Sequence, residues 1–182
     1  RAVFISLTPL NLLFSLVVLL YALRDDLKFV HWVVFLLVYL LGFIIELIGT
    51  NTGWPFGEYE YGSVLGVKLY ETPLLIGVNW LVLILSTHLA LSKTISNKVL
   101  IPFIGATAML VFDLFLEPIA IVTGMWTWAA LEIPFANYVS WWIIAFVLHF
   151  LMLLLRFESG AKVGMAVFVA QLVFFIVLNI FL

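Results

Sequence analysis

Residues 46–80 read ELIGTNTGWPFGEYEYGSVLGVKLYETPLLIGVNW, and the fold follows from what flanks this stretch. Glu46 sits near the end of one apolar run, and Pro73 opens the next. Between them lies a connection rich in glycine and aromatic residues. Nearly everything outside it is hydrocarbon-like, apart from a second polar stretch, Asp113 to Trp142.

The composition decides the solvent. Of 182 residues, 66% are hydrophobic and 10% are charged, and the mean hydropathy is +1.28. A water-soluble domain carries about 25% charged residues, and its surface cannot be built from this inventory. Apolar runs of about 18 residues or more can span a bilayer. Six are present, at roughly 3–23, 29–48, 73–92, 100–122, 138–155 and 162–182. The expected architecture is an all-α integral membrane protein, a bundle of six transmembrane helices forming a single domain over 1–182. No separate signal peptide is expected, because the first run is itself long enough to span. A net charge of −2 gives no sign of nucleic-acid binding. The absence of cysteine excludes disulfides, thiolate nucleophiles and Cys-ligated metals.

Orientation follows from lysine and arginine in short loops. Arg24, Lys28, Lys93, Lys98, Arg156 and Lys162 fall on one side, against Arg1 and Lys68 on the other. This bias places the chain in the cell (inner) membrane with both termini and both aromatic connections on the outer face. Within the first connection, apolar and polar residues alternate around Gly62-Ser63. That pattern predicts a short β-hairpin between helices 2 and 3.

The two polar stretches overlay as a repeat. Glu46 and Glu117 are each followed by five residues and a Thr-Gly pair, with Trp54 or Trp126 shortly after. Pro73 precedes Trp80 by seven positions, as Pro134 precedes Trp141. Two such units in one orientation form a parallel repeat about an axis along the membrane normal, with Glu46 and Glu117 at equal depth.

Three carboxylates, Glu46, Asp113 and Glu117, lie inside predicted helices. An acidic residue in a spanning helix costs roughly 2.5–3.5 kcal/mol to insert, so it faces the bundle interior and is a functional candidate. Asp113 and Glu117, four residues apart, share a helix face about 6 Å apart along the axis. Asp113 has no counterpart in the first copy, where Gly42 falls, and this asymmetry places the proton donor on helix 4. A structural role is the competing reading, with the carboxylates joining helices through Asn79. The histidines fall in the inner half, away from the carboxylates, so no metal site is expected; His31 and His88 read as interfacial or structural. Trp54, Trp126, Trp128, Trp141 and Trp142 cluster toward the outer mouth, where π-faces can stabilise a cation. A buried acid, cation-tolerant aromatics and a lipid-facing entrance suit one reaction type, protonation of an isoprenoid alkene to a tertiary carbocation.

The segments GTNTGWPFGEYEYGSVLGVKLYETPLLIGVNW, DLFLEPIA, WTW and IPFANYVSWW resemble the membrane-bound carotenoid biosynthesis proteins of the CruF type. That family includes carotenoid 1,2-hydratases and bisanhydrobacterioruberin hydratases. The resemblance covers roughly residues 40–145. Ser140 stands where glycine is expected, and Glu117 where some relatives have aspartate.

The resemblance implies a hydratase acting without cofactor on an acyclic ψ-end group. Its expected partners are a carotenoid substrate, water and membrane lipid. Asp113, Glu117 and Glu46 would be the catalytic carboxylates. Trp54, Phe56, Tyr59, Tyr61, Asn79, Trp126, Trp128 and Trp141 would line the substrate site, under a loop serving as lid and water gate. The alternatives are an end-group cyclase or isomerase, a carotenoid- or lipid-binding protein without catalysis, and a proton-coupled transporter.

Overall fold

The computed structural model describes residues 7–130 and 132–181. Within them run six helices: α1 (Thr8–Ala22), α2 (Phe29–Thr52), α3 (Leu75–Ser92), α4 (Leu100–Thr123), α5 (Phe135–Met152) and α6 (Ala161–Phe181). The helices from α2 to α6 are long and apolar enough to cross a membrane, and α1 is a shorter apolar helix. This is the build of an integral membrane protein. Residues 3–6 of the first expected span, Arg1 of the charge count and Leu182 lie outside the described residues.

Helix ends shift from the hydropathy reading where polar residues continue a helix that apolarity alone would stop. Helix α2 runs on through Thr50, Asn51 and Thr52, expected in the connection. The Thr50 and Thr52 hydroxyls and the Asn51 amide donate back to carbonyls of the preceding turn, so these side chains supply their own polar partners. Gly53 and Gly124 then end α2 and α4 with φ of 74° and 72°. Both are left-handed positions that glycine occupies without the Cβ penalty, so the repeated Thr-Gly pair is a repeated helix stop. Helix α5 begins at Phe135, directly after Pro134, three residues ahead of the expected start.

Helix α3 is the centre of the bundle. Every residue from Trp80 to Ala90 is buried, which explains a largely apolar sequence without an amphipathic face. It packs extensively on α2 and α6, while α4 pairs chiefly with α5. At the α2–α3 crossing, a Cβ on Gly42 would stand 2.6 Å from Trp80 Cβ and 2.7 Å from Trp80 Cγ. Gly42→Ala must therefore push the helices apart. The expected result is a loss of about 1–3 kcal/mol, as for other overpacked cores, read as a lower unfolding temperature in detergent.

The predicted hairpin about Gly62-Ser63 does not form. Strand β1 (Tyr59–Tyr61) instead pairs antiparallel with β4 (Trp126–Trp128) from the second connection, with Tyr59 opposite Trp128 and Tyr61 opposite Trp126. A smaller hairpin lies downstream, where β2 (Lys68–Leu69) pairs with β3 (Thr72–Pro73). Its two turn residues, Tyr70 and Glu71, have φ of 46° and 61°, the left-handed pair that closes a two-residue hairpin loop. Alternation had indicated which side chains share a face of the strand, but not which segment it pairs with.

The opposite end of the bundle is tied by loop-to-loop bonds. Asp26 accepts from the backbone N–H groups of Glu158 and Ser159 and from the Ser159 hydroxyl. His31 Nδ1 accepts from the Lys28 N–H, leaving Nε2–H for the Arg156 carbonyl at 3.3 Å. His88 and His149 are buried side by side, with ring centroids 6.2 Å apart.

Candidate active site

The β1–β4 ladder crosses the ends of α2 and α4 and turns four rings inward. Both strands read buried–exposed–buried. Tyr59, Tyr61, Trp126 and Trp128 therefore face the bundle, while Glu60 and Thr127 face away. This alternation delivers two polar-tipped aromatics to each glutamate.

Glu46 Oε2 accepts from the Tyr59 hydroxyl at 2.6 Å and the Tyr61 hydroxyl at 2.7 Å, and its Oε1 accepts from Trp80 Nε1 at 3.0 Å. Glu117 Oε2 accepts from Trp126 Nε1 and Trp128 Nε1, each at 3.0 Å, and its Oε1 accepts from Asn137 Nδ2 at 3.0 Å. Each carboxylate thus has three donors. Two come from alternate residues of a strand and one from the helix that follows. The two repeat units build the same device with different donors, tyrosine in one and tryptophan in the other. Such full pairing is what a buried carboxylate requires.

Burial, and then the neighbouring Glu46 charge, push the Tyr59 and Tyr61 hydroxyls far above the ordinary tyrosine range. Both phenols remain protonated donors through the physiological range.

Asp113 is different. It is fully buried, and its Oδ2 accepts from Asn137 Nδ2 at 3.1 Å. Its Oδ1 has no hydrogen-bond partner among the described residues. The two N–H bonds of one amide therefore bridge Asp113 and Glu117. The matching place in the first unit is Gly42, and the reason is now visible: Trp80 packs against it, with its N–H directed to Glu46.

Glu46 and Glu117 line one small cavity of about 10 Å³, room for about one water molecule. Phe56, Ile76, Asn137 and Trp141 complete much of its wall. Trp80 and Trp141, the repeat-related tryptophans, stack with centroids 4.4 Å apart. Ser140, standing where glycine was expected, donates to the Pro55 carbonyl at 2.9 Å and pins the first connection to α5.

The structure thus brings together Glu46, Glu117, Phe56, Tyr59, Tyr61, Trp126, Trp128 and Trp141 from the expected set, with Asp113 joined through Asn137. Two expected residues fall outside. Trp54 is 66% exposed, because the chain turns outward after Gly53. Asn79 is half-buried and takes no part in lining the cavity; the amide that joins the carboxylates belongs to Asn137. Trp142 likewise turns aside, donating to the Thr107 hydroxyl at 3.1 Å.

Asn137 and Trp80 were missed as site residues. Asn137 had a signal, as an amide three residues past Pro134 in a mainly apolar helix. Trp80 had served only as a landmark of the repeat. Among the described residues, no group of three or more His, Asp or Glu side chains is arranged to hold a metal ion.

Comparison with known proteins bears on this geometry. The family model for carotenoid biosynthesis proteins matches residues 7–182. The bisanhydrobacterioruberin hydratase of Haloarcula japonica is 35% identical over 106 residues. That match takes in 53% of this chain and 36% of the relative, so the similarity spans about a third of the relative's length. No solved structure matches the chain.

Proposed function

The chain belongs to the carotenoid biosynthesis protein family, and from that premise we propose that it is a membrane hydratase of carotenoid end groups. It adds water across the terminal double bond of an acyclic ψ-end group, by protonation to a tertiary carbocation. The hydratase name of the Haloarcula relative supports this reading. The observation that carries it is the unequal pairing of the three carboxyl groups. Glu46 and Glu117 are each held by three donors, the environment of an anion. Among the three, Asp113 alone has an oxygen without a partner among the described residues, the place for a carboxylic proton.

In the proposed cycle, Asp113 gives its proton to C2 of the terminal alkene. The alkene π pair forms the new C–H bond, and positive charge falls on the tertiary C1. The fixed carboxylates of Glu46 and Glu117 and the indoles that line the cavity, Trp126, Trp128 and Trp141, stabilise that charge in a site shielded from solvent. A water beside Glu117 adds its lone pair to C1, and the proton lost from the resulting oxonium restores Asp113. The net change is one alkene and one water to one tertiary alcohol. The cavity holds about one water, so its walls must part to admit the substrate's dimethyl end. The remaining polyene would lie along the bundle or in lipid. In this reading all six helices span the cell membrane, and the ladder side faces outward.

Expression in cells that accumulate an acyclic ψ-end carotene tests the proposal by pigment mass spectrometry. The expected product carries one added water per reacted end. An isomer of unchanged mass would mean that the cation cyclises or loses a proton instead. Pigment that co-purifies unchanged with folded protein would defeat the enzymatic reading.

A further inference from the structure

A second hollow lies on the other side of the ladder. It is a cleft of about 510 Å³ with a polar rim that includes Thr50, Asn51, Thr52, Glu58, Glu60 and Thr127. Tyr59 and Trp128 line this cleft and also the small cavity between Glu46 and Glu117. The two residues are therefore the common wall between a polar cleft and the buried carboxylates.

Phe56, Ile76 and Trp141, elsewhere on the inner cavity's wall, are almost fully buried. The shared wall, by contrast, backs onto the polar cleft. Tyr59 and Trp128 face each other in the ladder register, with ring centroids 5.1 Å apart and planes inclined at 43°. Their backbones are fixed by the ladder and by the bond from the Ala129 N–H to the Glu58 carbonyl. Their polar tips are held by hydrogen bonds, the Tyr59 hydroxyl to the Glu46 carboxylate and carbonyl and the Trp128 N–H to Glu117, and the Tyr59 ring also packs on Phe56 and Tyr61. Rotation about the side-chain torsions can part them while the strands stay paired.

We propose that the water consumed in hydration reaches the carbocation from this cleft, passing between Tyr59 and Trp128, which act as its gate. The inference rests on the hydratase reading and adds a path and a point of control to it. A closed pair leaves the cation dry, so that it survives or loses a proton. An open pair delivers water beside Glu117. The gate thus sets the ratio of tertiary alcohol to isomerised alkene.

The chain contains no cysteine, so a single introduced thiol can be addressed alone. Thr127→Cys places it on the cleft side of β4, between the two inward tryptophans. The protein is reconstituted in lipid nanodiscs with an acyclic ψ-end carotene and treated with a bulky aromatic methanethiosulfonate, a block that reductant removes. The expected result is a fall of about tenfold or more in alcohol formation at unchanged bound pigment. Any residual product should shift toward isomerised alkene, and activity should return after reduction.

The same reagent on Val67→Cys, at a position 75% exposed and outside the cleft, should leave the rate unchanged. Ala129→Cys, also on the cleft wall, replaces Thr127→Cys if that variant does not fold. A blocked cleft with full alcohol formation overturns the gate and leaves the hydratase reading standing. An unlabelled protein that forms no alcohol removes both.

Discussion

Asp113→Asn is expected to stop water addition while leaving the bundle folded and able to hold pigment. The substitution preserves shape, and the amide oxygen can still accept from Asn137 at the Oδ2 position. The new amide nitrogen stands where Oδ1 has no partner among the described residues, so no existing bond is lost there. What disappears is the transferable proton. Removing a positioned general acid costs typically a hundred- to ten-thousand-fold in rate, and alcohol formation should fall within that range. Pigment mass spectrometry reads the loss, and circular dichroism with size-exclusion chromatography reads the fold. Asp113→Glu should recover part of the activity, because it restores the acid at a displaced position. Alcohol formation at the wild-type rate by the asparagine variant would remove Asp113 from the mechanism.

Glu46→Ala should be among the most destabilising single changes at the site, whereas Glu46→Gln should fold. Alanine strands three buried donors, the hydroxyls of Tyr59 and Tyr61 and the indole N–H of Trp80. Each orphaned buried group costs about 1–3 kcal/mol, so a total loss of about 3 kcal/mol or more is expected, with a cavity term in addition. Glutamine can be accommodated because a tyrosine hydroxyl also accepts. Its amide nitrogen can donate to the two phenols while its oxygen takes Trp80.

The same exchange, Glu117→Gln, is worse in the second unit. Indoles only donate, so the single oxygen of the introduced amide must serve Trp126 and Trp128. The amide nitrogen then meets the nitrogen of Asn137, and Asn137 must turn over and release Asp113. Thermal unfolding in detergent should rank Glu46→Gln above Glu117→Gln, and both above Glu46→Ala. A Glu46→Ala protein that melts like wild type would refute the donor accounting. The Glu46→Gln protein should still hydrate more slowly, because a neutral amide does not stabilise the cation as an anion does.

The repeat that was legible as spacing turns out to have physical content, though of an unexpected kind. The Thr-Gly pairs are matched helix stops, and Trp80 and Trp141 meet in a stack. Tyr-x-Tyr at 59–61 and Trp-x-Trp at 126–128 are the matched donor pairs. A strand's period of two makes that last match visible, because residues two apart point the same way. Trp54, which the overlay aligned with Trp126, is instead exposed. Its strand-level counterpart lies several residues further on, since the first connection makes an extra turn through Pro55 and Gly57 before β1 begins.

Much about this protein was determined by the sequence alone, for reasons of bulk chemistry. A chain 66% hydrophobic and 10% charged can satisfy its backbone in lipid as helices or as a closed barrel, and its long unbroken apolar runs select helices. Three acids within apolar helices must turn inward and find donors, whatever the topology. The choice of donors needed the tertiary structure. Pairing β1 with β4 joins segments far apart in the chain, and alternation specifies the face of a strand without specifying its neighbour. That pairing supplies each glutamate with two of its three donors. A single amide on α5 then reaches both Asp113 and Glu117, leaving one carboxyl oxygen of Asp113 without a partner among the described residues. The difference in pairing among three similar side chains, on which the proposed division between anion and acid rests, follows from those donor positions, which exist only once the helices and the ladder have come together.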